Sequence, residues 1–276
     1  MRQLIDINGV RLNVIIEGEG PEVLLVHGFP DDHSIWRHQI SALVAAGYKV
    51  IAPDTRGCGD SDMPSEPQDY RMELLVDDLR GLLDALQIKQ VKLVAHDWGS
   101  LQAWHFALRH PERVSQYITL SVGHPTAYSR GGLEQKLRGY YIFFVQMRGL
   151  SEWLATRMNW LLFKIMTHYP PEFAHWRDKL SRPGRLTAGL NYYRANFSSM
   201  LSGRIGDNET SRAQMPVVGV WSSRDSFLAQ GQIRDSGRYC DAGFQYERID
   251  GASHWMQLDA PDTLNALLLK HLGRTK

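Results

Sequence analysis

Val91-Lys92-Leu93-Val94-Ala95-His96-Asp97-Trp98-Gly99 decides how this 276-residue chain is read. Its first five residues make a short apolar run suited to a buried strand, and 101–109, LQAWHFALR, continue beyond it as a helix. Ala95 and Gly99 stand two positions to either side of Asp97. Small residues at that spacing let a strand and the helix after it approach closely around a tight turn that presents a nucleophile. Serine usually holds the apex of such a turn, and here the apex carries a carboxylate. A serine alkoxide attacks acyl carbon, whereas a carboxylate attacks alkyl carbon and is left as an alkyl ester. The chemistry expected of Asp97 is therefore displacement at a carbon bearing a halide or an epoxide oxygen.

Outward from that turn, strand-like runs alternate with amphipathic helical stretches. The N-terminal MRQLIDINGVRLNVIIEG alternates polar and apolar residues, as a strand pair should. Strands are expected at Leu12–Glu17, Glu22–Val26, Lys49–Ala52, Lys92–Ala95 and Tyr117–Leu120, with helices at Ile35–Ala46, Met72–Leu86 and Leu101–Arg109. Such alternation implies βαβ units and a mostly parallel sheet. The pattern breaks after Val122-Gly123-His124-Pro125. From there to Arg212 the chain reads as helical and rich in Trp, Tyr, Phe, Met and Arg, before 216–221, Phe244–Ile249 and a closing helix at Thr263–Leu272 resume it. The expected organisation is a core from residues 1–126 and 213–276 with a helical cap, 127–212, over the carboxyl edge of the sheet, where open α/β sheets bind ligands.

Composition narrows the function classes. With 31 Lys and Arg against 30 Asp and Glu, the net charge of +1 offers no nucleic-acid footprint. No stretch approaches 18 apolar residues, so no membrane span is expected, and the N-terminus lacks the apolar core of a signal peptide. These features read as a soluble, cytoplasmic protein, a monomer or homodimer. Cys58 and Cys240 lie far apart without metal-ligand spacing, so neither a disulfide nor a metal site is expected of them. No cofactor is called for.

Four motifs in order, His27-Gly28-Phe29-Pro30, the segment from Asp54 through Arg56, Gly57, Gly59, Ser61 and Asp62 to Pro64, His96-Asp97-Trp98-Gly99, and Gly251-Ala-Ser-His254-Trp255, resemble the α/β-hydrolase fold. Within it they resemble the epoxide hydrolase and haloalkane dehalogenase branch, over nearly the whole chain. The resemblance implies an eight-stranded, mostly parallel sheet flanked by helices. It also implies that His254 is the base that activates water against the Asp97 ester. Asp225, after the strand that resumes beyond the cap, would be the acid that orients it, with Asp250 nearby in sequence. The backbone N–H groups of Phe29 and Trp98 would stabilise the oxyanion. His27 and His96 read as loop-shaping, and Pro30 as holding its turn in an unusual peptide geometry.

The leaving group divides the branch. An epoxide oxygen leaves as an alkoxide and needs a proton donor, and a phenol with a pKa near 10 stays protonated at neutral pH. Gly139-Tyr140-Tyr141 with its following Phe143-Phe144 and Gln146, and Leu190-Asn191-Tyr192-Tyr193-Arg194, resemble the two epoxide hydrolase cap motifs. That match points to Tyr141 over Tyr140, and to Tyr193 over Tyr192. Halide would instead need stationary N–H groups, from Trp98 and one of Trp153, Trp160 or Trp176. Phe29 stands where many haloalkane dehalogenases carry asparagine. A ligand-binding module without catalysis is the third reading. Trp36, Phe143, Phe144 and Trp255 are expected in an apolar substrate pocket, with Met147, Trp153 and Leu154 nearby, so the substrate would be an apolar epoxide. Arg138, Arg148, Arg157, Arg182 and Arg185 read as a solvated cap surface.

Overall fold

The computed structural model describes residues 1–169, 171–202 and 212–273, so 170 and 203–211 of the expected cap lie outside the described residues. Eight strands form one sheet: β1 (Arg2–Ile7), β2 (Val10–Glu17), β3 (Glu22–Val26), β4 (Lys49–Pro53), β5 (Val91–His96), β6 (Val114–Leu120), β7 (Val217–Ser222) and β8 (Phe244–Ile249). Their spatial order is β1-β2-β4-β3-β5-β6-β7-β8, antiparallel at β1–β2 and β2–β4 and parallel elsewhere. Asn8 and Gly9 join β1 to β2 with φ of 43° and 79°. Positive φ at both central residues suits the twist of a two-residue hairpin, and Asn-Gly tolerates it best. At the edge, β1 alternates exposed and covered positions, whereas every residue of β7 is buried, as a parallel strand covered on both faces requires.

Between the strands run α1 (Arg37–Ala45), α2 (Met72–Ala85) and α3 (Trp98–Arg109). Buried side chains at three- and four-residue spacing, such as Met72, Leu75, Val76, Leu79, Leu82 and Leu83 of α2, dock them on the sheet. The loop from Asp54 to Pro64 is held by structural bonds. The Asp54 carboxylate accepts from Asn13 Nδ2 at 2.7 Å and from the backbone N–H groups of His33 and Asp60 at 2.8 Å, and buried Arg56 pairs with Asp78 of α2 at 2.7 Å. Removing one partner of that pair would strand a buried charge at a cost of about 3–5 kcal/mol.

After β6 the chain enters α4 (Pro125–Ser129), α5 (Gly132–Arg138), α6 (Tyr141–Val145), α7 (Leu150–Thr167), α8 (Phe173–Leu180) and α9 (Arg185–Ser202). Arg194 of α9 donates to both carboxylate oxygens of Glu152 on α7, at 2.7 and 3.0 Å, and to the Val145 carbonyl at 3.0 Å. One side chain thus ties α6, α7 and α9 together. α8 docks on the core through Arg37–Glu172 at 2.9 Å and His175–Asp32 at 3.1 Å. The chain closes with α10 (Gln230–Arg234), α11 (Met256–Asp259) and α12 (Pro261–Leu272). Cys58 and Cys240 are separate thiols. Among the described residues no helix is long and apolar enough to cross a membrane.

Strand order places the site. β3 and β5 are neighbours, yet the chain leaves β3 toward β4 on one side and β5 toward β6 on the other. Loops that diverge at such a reversal open a crevice at the carboxyl ends of the strands. Asp97 follows β5 and Phe29 follows β3, so both stand there.

Candidate active site

β5 passes into α3 through Asp97, whose backbone sits at φ 51°, ψ −124°. Few non-glycine residues hold a positive φ, and those that do are over-determined by their surroundings. Here the surroundings are close. A Cβ added to Gly28 would lie 2.4 Å from Asp97 Cβ, and one added to Gly99 would lie 2.4 Å from the carbonyl oxygens of Val26 and His27. The two glycines let the β3 and β5 loops touch. In consequence the Phe29 backbone N–H donates to Asp97 Oδ1 at 3.0 Å. The peptide bond between Phe29 and Pro30 is cis. Burial pushes the Asp97 carboxyl up, but His254 and the Trp98 backbone N–H outweigh it and hold it below the usual carboxylate range.

His254, in the loop after β8, faces Asp97 Oδ2 with Nε2 at 3.5 Å and Asp225 Oδ2 with Nδ1 at 2.9 Å. Asp225, in the loop after β7, uses its other oxygen to accept from the Phe227 and Leu228 backbone N–H groups, each at 2.9 Å. All three side chains are buried. Burial opposes the imidazolium, yet two carboxylates overcome it and raise His254 to about 10. Asp250, the neighbour in sequence, pairs with Arg248 at 2.7 Å away from the site.

Asp97 and His254 open into a cavity of about 110 Å³ between the sheet edge and α6, α7 and α9. Phe29, Phe144, Val145, Phe163, Leu186, Leu190 and Trp255 give it apolar walls, and Tyr141 and Tyr193 supply phenols. The two tyrosine rings meet edge to face, centroids 5.8 Å apart, and Tyr193 also packs on Trp98 at 4.9 Å. Burial drives both phenols well above their ordinary value, so both keep their protons. Their sequence neighbours are directed elsewhere. The Tyr192 hydroxyl donates to the Arg56 carbonyl at 2.6 Å, and Tyr140 is largely exposed at the cavity mouth.

Two of the expected pocket residues need correction. Trp36 is fully buried in the core and does not line the cavity. Phe143 is turned outward, exposed on α6 against Phe197, because a five-residue helix presents only one face inward and Tyr141, Phe144 and Val145 take it. Met147 and Trp153 are likewise exposed. Phe144 and Trp255 do line the cavity. Nor do the indoles proposed for halide reach it: Trp153 and Trp160 are not on its wall, and Trp176 donates its N–H to Asp31 at 2.9 Å. Arg138 is not a solvated surface residue. It lines the cavity and donates to the carbonyls of Asp225 and Leu228, behind the acid of the site.

Sequence reading also passed over Asp31, just beyond Pro30. It is buried, accepts the indole N–H groups of Trp176 and Trp255 at 2.9 and 3.1 Å, and is raised to about 8 by burial. His96 does shape its loop: its Nε2 donates to the His254 carbonyl at 3.0 Å, and burial lowers it to about 3. Asp32, His33 and Asp54 bring ligand-type atoms within 4.8 Å of one another. Their lone pairs are already engaged, since Asp54 takes His33 Nδ1 at 2.7 Å and Asp32 takes Ser34 N at 2.9 Å and His175. That group ties loops together.

Comparison with known proteins shows the family. Residues 21–261 match the family model described as alpha/beta hydrolase fold. The chain is 31% identical to the AB hydrolase superfamily protein YfhM of Bacillus subtilis, covering 98% of this chain and 97% of that protein. It is 32% identical to Epoxide hydrolase 3 of Xenopus tropicalis, over 95% of this chain and 74% of that one. Its structure superposes on the crystal structure of Bacillus megaterium epoxide hydrolase in complex with an inhibitor with a TM-score of 0.89, at 27% identity, covering 99% and 100% of the two chains.

Proposed function

The chain belongs to the α/β-hydrolase family, in the branch that contains the epoxide hydrolases, and we propose that it hydrolyses an apolar epoxide to a vicinal diol through an ester on Asp97. The observation that carries this reading is one arrangement. A carboxylate has one oxygen held by the Phe29 N–H and the other facing His254 Nε2 at 3.5 Å, and two protonated phenols share its cavity. The described residues of 127–212 act as the cap that supplies those phenols, Tyr141 from α6 and Tyr193 from α9.

Asp97 Oδ2 attacks an epoxide carbon and the carbon–oxygen bond breaks toward the ring oxygen. Tyr141 and Tyr193 hydrogen-bond that oxygen, and one of them gives it a proton. Before this step His254 is an imidazolium between two carboxylates. Esterification removes the Asp97 charge, so one of the two influences that raise His254 is gone, and its proton is released to restore the phenol. Neutral His254 is then a base. Held by Asp225 through Nδ1, it takes a proton from water at Nε2, and the hydroxide attacks the ester carbonyl. Charge builds on Oδ1, where the backbone N–H groups of Phe29 and Trp98 receive it, donors of a kind worth roughly 3–4 kcal/mol each. Collapse releases the diol and returns Asp97 as a carboxylate beside an imidazolium. Nothing in the cycle needs a cofactor.

A screen of aryl and alkyl epoxides, with halide release from haloalkanes measured in parallel, tests the reading. Diol formation with negligible halide release is expected. Halide release at comparable rates would make the protein a haloalkane dehalogenase, and inertness toward both substrate classes would leave a ligand-binding module.

A further inference from the structure

Ten of the twelve exposed large apolar side chains among the described residues fall between Leu133 and Ile165. Leu133, Leu137 and Tyr140 on and just after α5, Phe143 and Met147 on and just after α6, and Leu150 with Trp153 on α7 follow one another at steps of three or four. α7 kinks at Arg157–Trp160, where Met158, Asn159 and Trp160 take positive φ, and beyond the kink Met158, Leu161 and Ile165 are exposed as well. A monomer rarely leaves so much contiguous apolar surface open without a partner. The face is also basic. Residues 130–165 hold six Lys and Arg against two Glu, in a chain that is balanced as a whole at 31 against 30, and with Arg138 turned into the cavity Arg130, Lys136, Arg148, Arg157 and Lys164 remain. Both glutamates are spoken for, Glu134 by Arg138 at 2.8 Å and Glu152 by Arg194 at 2.7 Å. Arg157 lies over the Trp153 ring, 4.5 Å from its centroid, which is an interfacial pairing of aromatic and cation.

We propose that this face of α5–α7 docks on an anionic lipid surface, with its apolar side chains in the headgroup region and its cations against lipid phosphates and carboxylates. A surface with apolar residues backed by uncompensated Lys and Arg is the pattern of reversible interfacial binding, whereas a second copy of the same face would set like charges against each other. The cavity reaches the same helices: Arg138 and Tyr140, at and just after the end of α5, and Met166 and His168, at and just after the end of α7, line it. An apolar epoxide dissolved in lipid would then enter directly, a benefit that rests on the proposed activity, although the binding itself does not.

The test is co-sedimentation of the whole protein with phosphatidylcholine vesicles, with and without phosphatidylserine. Binding is expected only with phosphatidylserine, and it should fall at high salt. A Lys136→Gln, Arg148→Gln variant should bind about 25-fold more weakly, about fivefold for each charge. A Trp153→Ser, Met158→Ser variant should lose binding at any salt. Neither pair touches the cavity, so both variants should turn over a water-soluble epoxide at the parental rate while losing turnover of an epoxide delivered in vesicles. Absence of vesicle binding by the parental protein, or equal binding by parent and variants, overturns the proposal. So does light scattering that shows a dimer which Trp153→Ser converts to monomer, because a second copy would then cover the face. Since binding is read without turnover, its failure would leave the epoxide chemistry untouched.

Discussion

Replacing Asp225 by Asn isolates the role of the acid, because the structure dictates how the amide would sit. The two backbone N–H groups of Phe227 and Leu228 hold one carboxylate oxygen at 2.9 Å. They will hold the amide oxygen in the same place, which turns the amide NH2 toward His254 Nδ1. A donor there forces the imidazole proton onto Nε2, and an Nε2–H tautomer cannot take a proton from water. The charge is lost as well. At the 2.9 Å contact with His254, a unit charge at an effective dielectric near 20 is worth about 6 kcal/mol before desolvation is subtracted. A net loss of roughly 3–5 kcal/mol slows ester hydrolysis about 10²- to 10⁴-fold. Alkylation suffers less, since Asp97 keeps its oxyanion donor and the phenols keep their protons. The variant should therefore show a burst of one epoxide equivalent, with most of the protein carrying the substrate mass in an intact-mass spectrum. Parental rates of ester breakdown in the Asn variant would refute the role assigned to Asp225.

Tyr141→Phe with Tyr193→Phe should abolish epoxide opening while each single variant keeps part of it, because the two phenols meet in one cavity. Ring opening at the parental rate in the double variant, measured in single-turnover kinetics, would make both residues cap packing only. Folding raises His254 from 6.5 to about 10, so the folded state binds that proton more tightly than the unfolded chain does. The resulting stability is fully present below about pH 6.5 and is lost as pH climbs toward 10. Tm should fall across that window in the parental protein and fall less in His254→Gln, and identical profiles would contradict the charged state assigned to His254.

Legibility differed from residue to residue for physical reasons. The Asp97 turn could be read because close backbone approach leaves few options at its flanks: Gly99 has no room for a Cβ. The sheet could be read because strands buried on both faces, such as β7, are nearly continuous apolar runs. The Asn8-Gly9 hairpin carried an equally strong signal that the reading left unused. Tyr192 and Tyr193 were separable only by resemblance, since which of two adjacent helical residues faces the cavity depends on a rotation of about 100° that the docking of α9 sets. Trp36 and Phe143 were misplaced because aromatic character marks both core and pocket, and only the packing of the turn before α1 and of α6 tells them apart. Asp31 and Arg138 matter through partners distant in sequence, Trp255 for the first and Asp225 for the second.

A single turnover in ¹⁸O-labelled water, with protein in excess over an aryl epoxide, tests the central claim most directly. If Asp97 forms the ester and water attacks its carbonyl carbon, the label appears in the carboxylate of the Asp97 peptide and the first diol is unlabelled. Label in the first diol, with none in Asp97, would mean that water attacks the epoxide itself and that Asp97 acts only as a base.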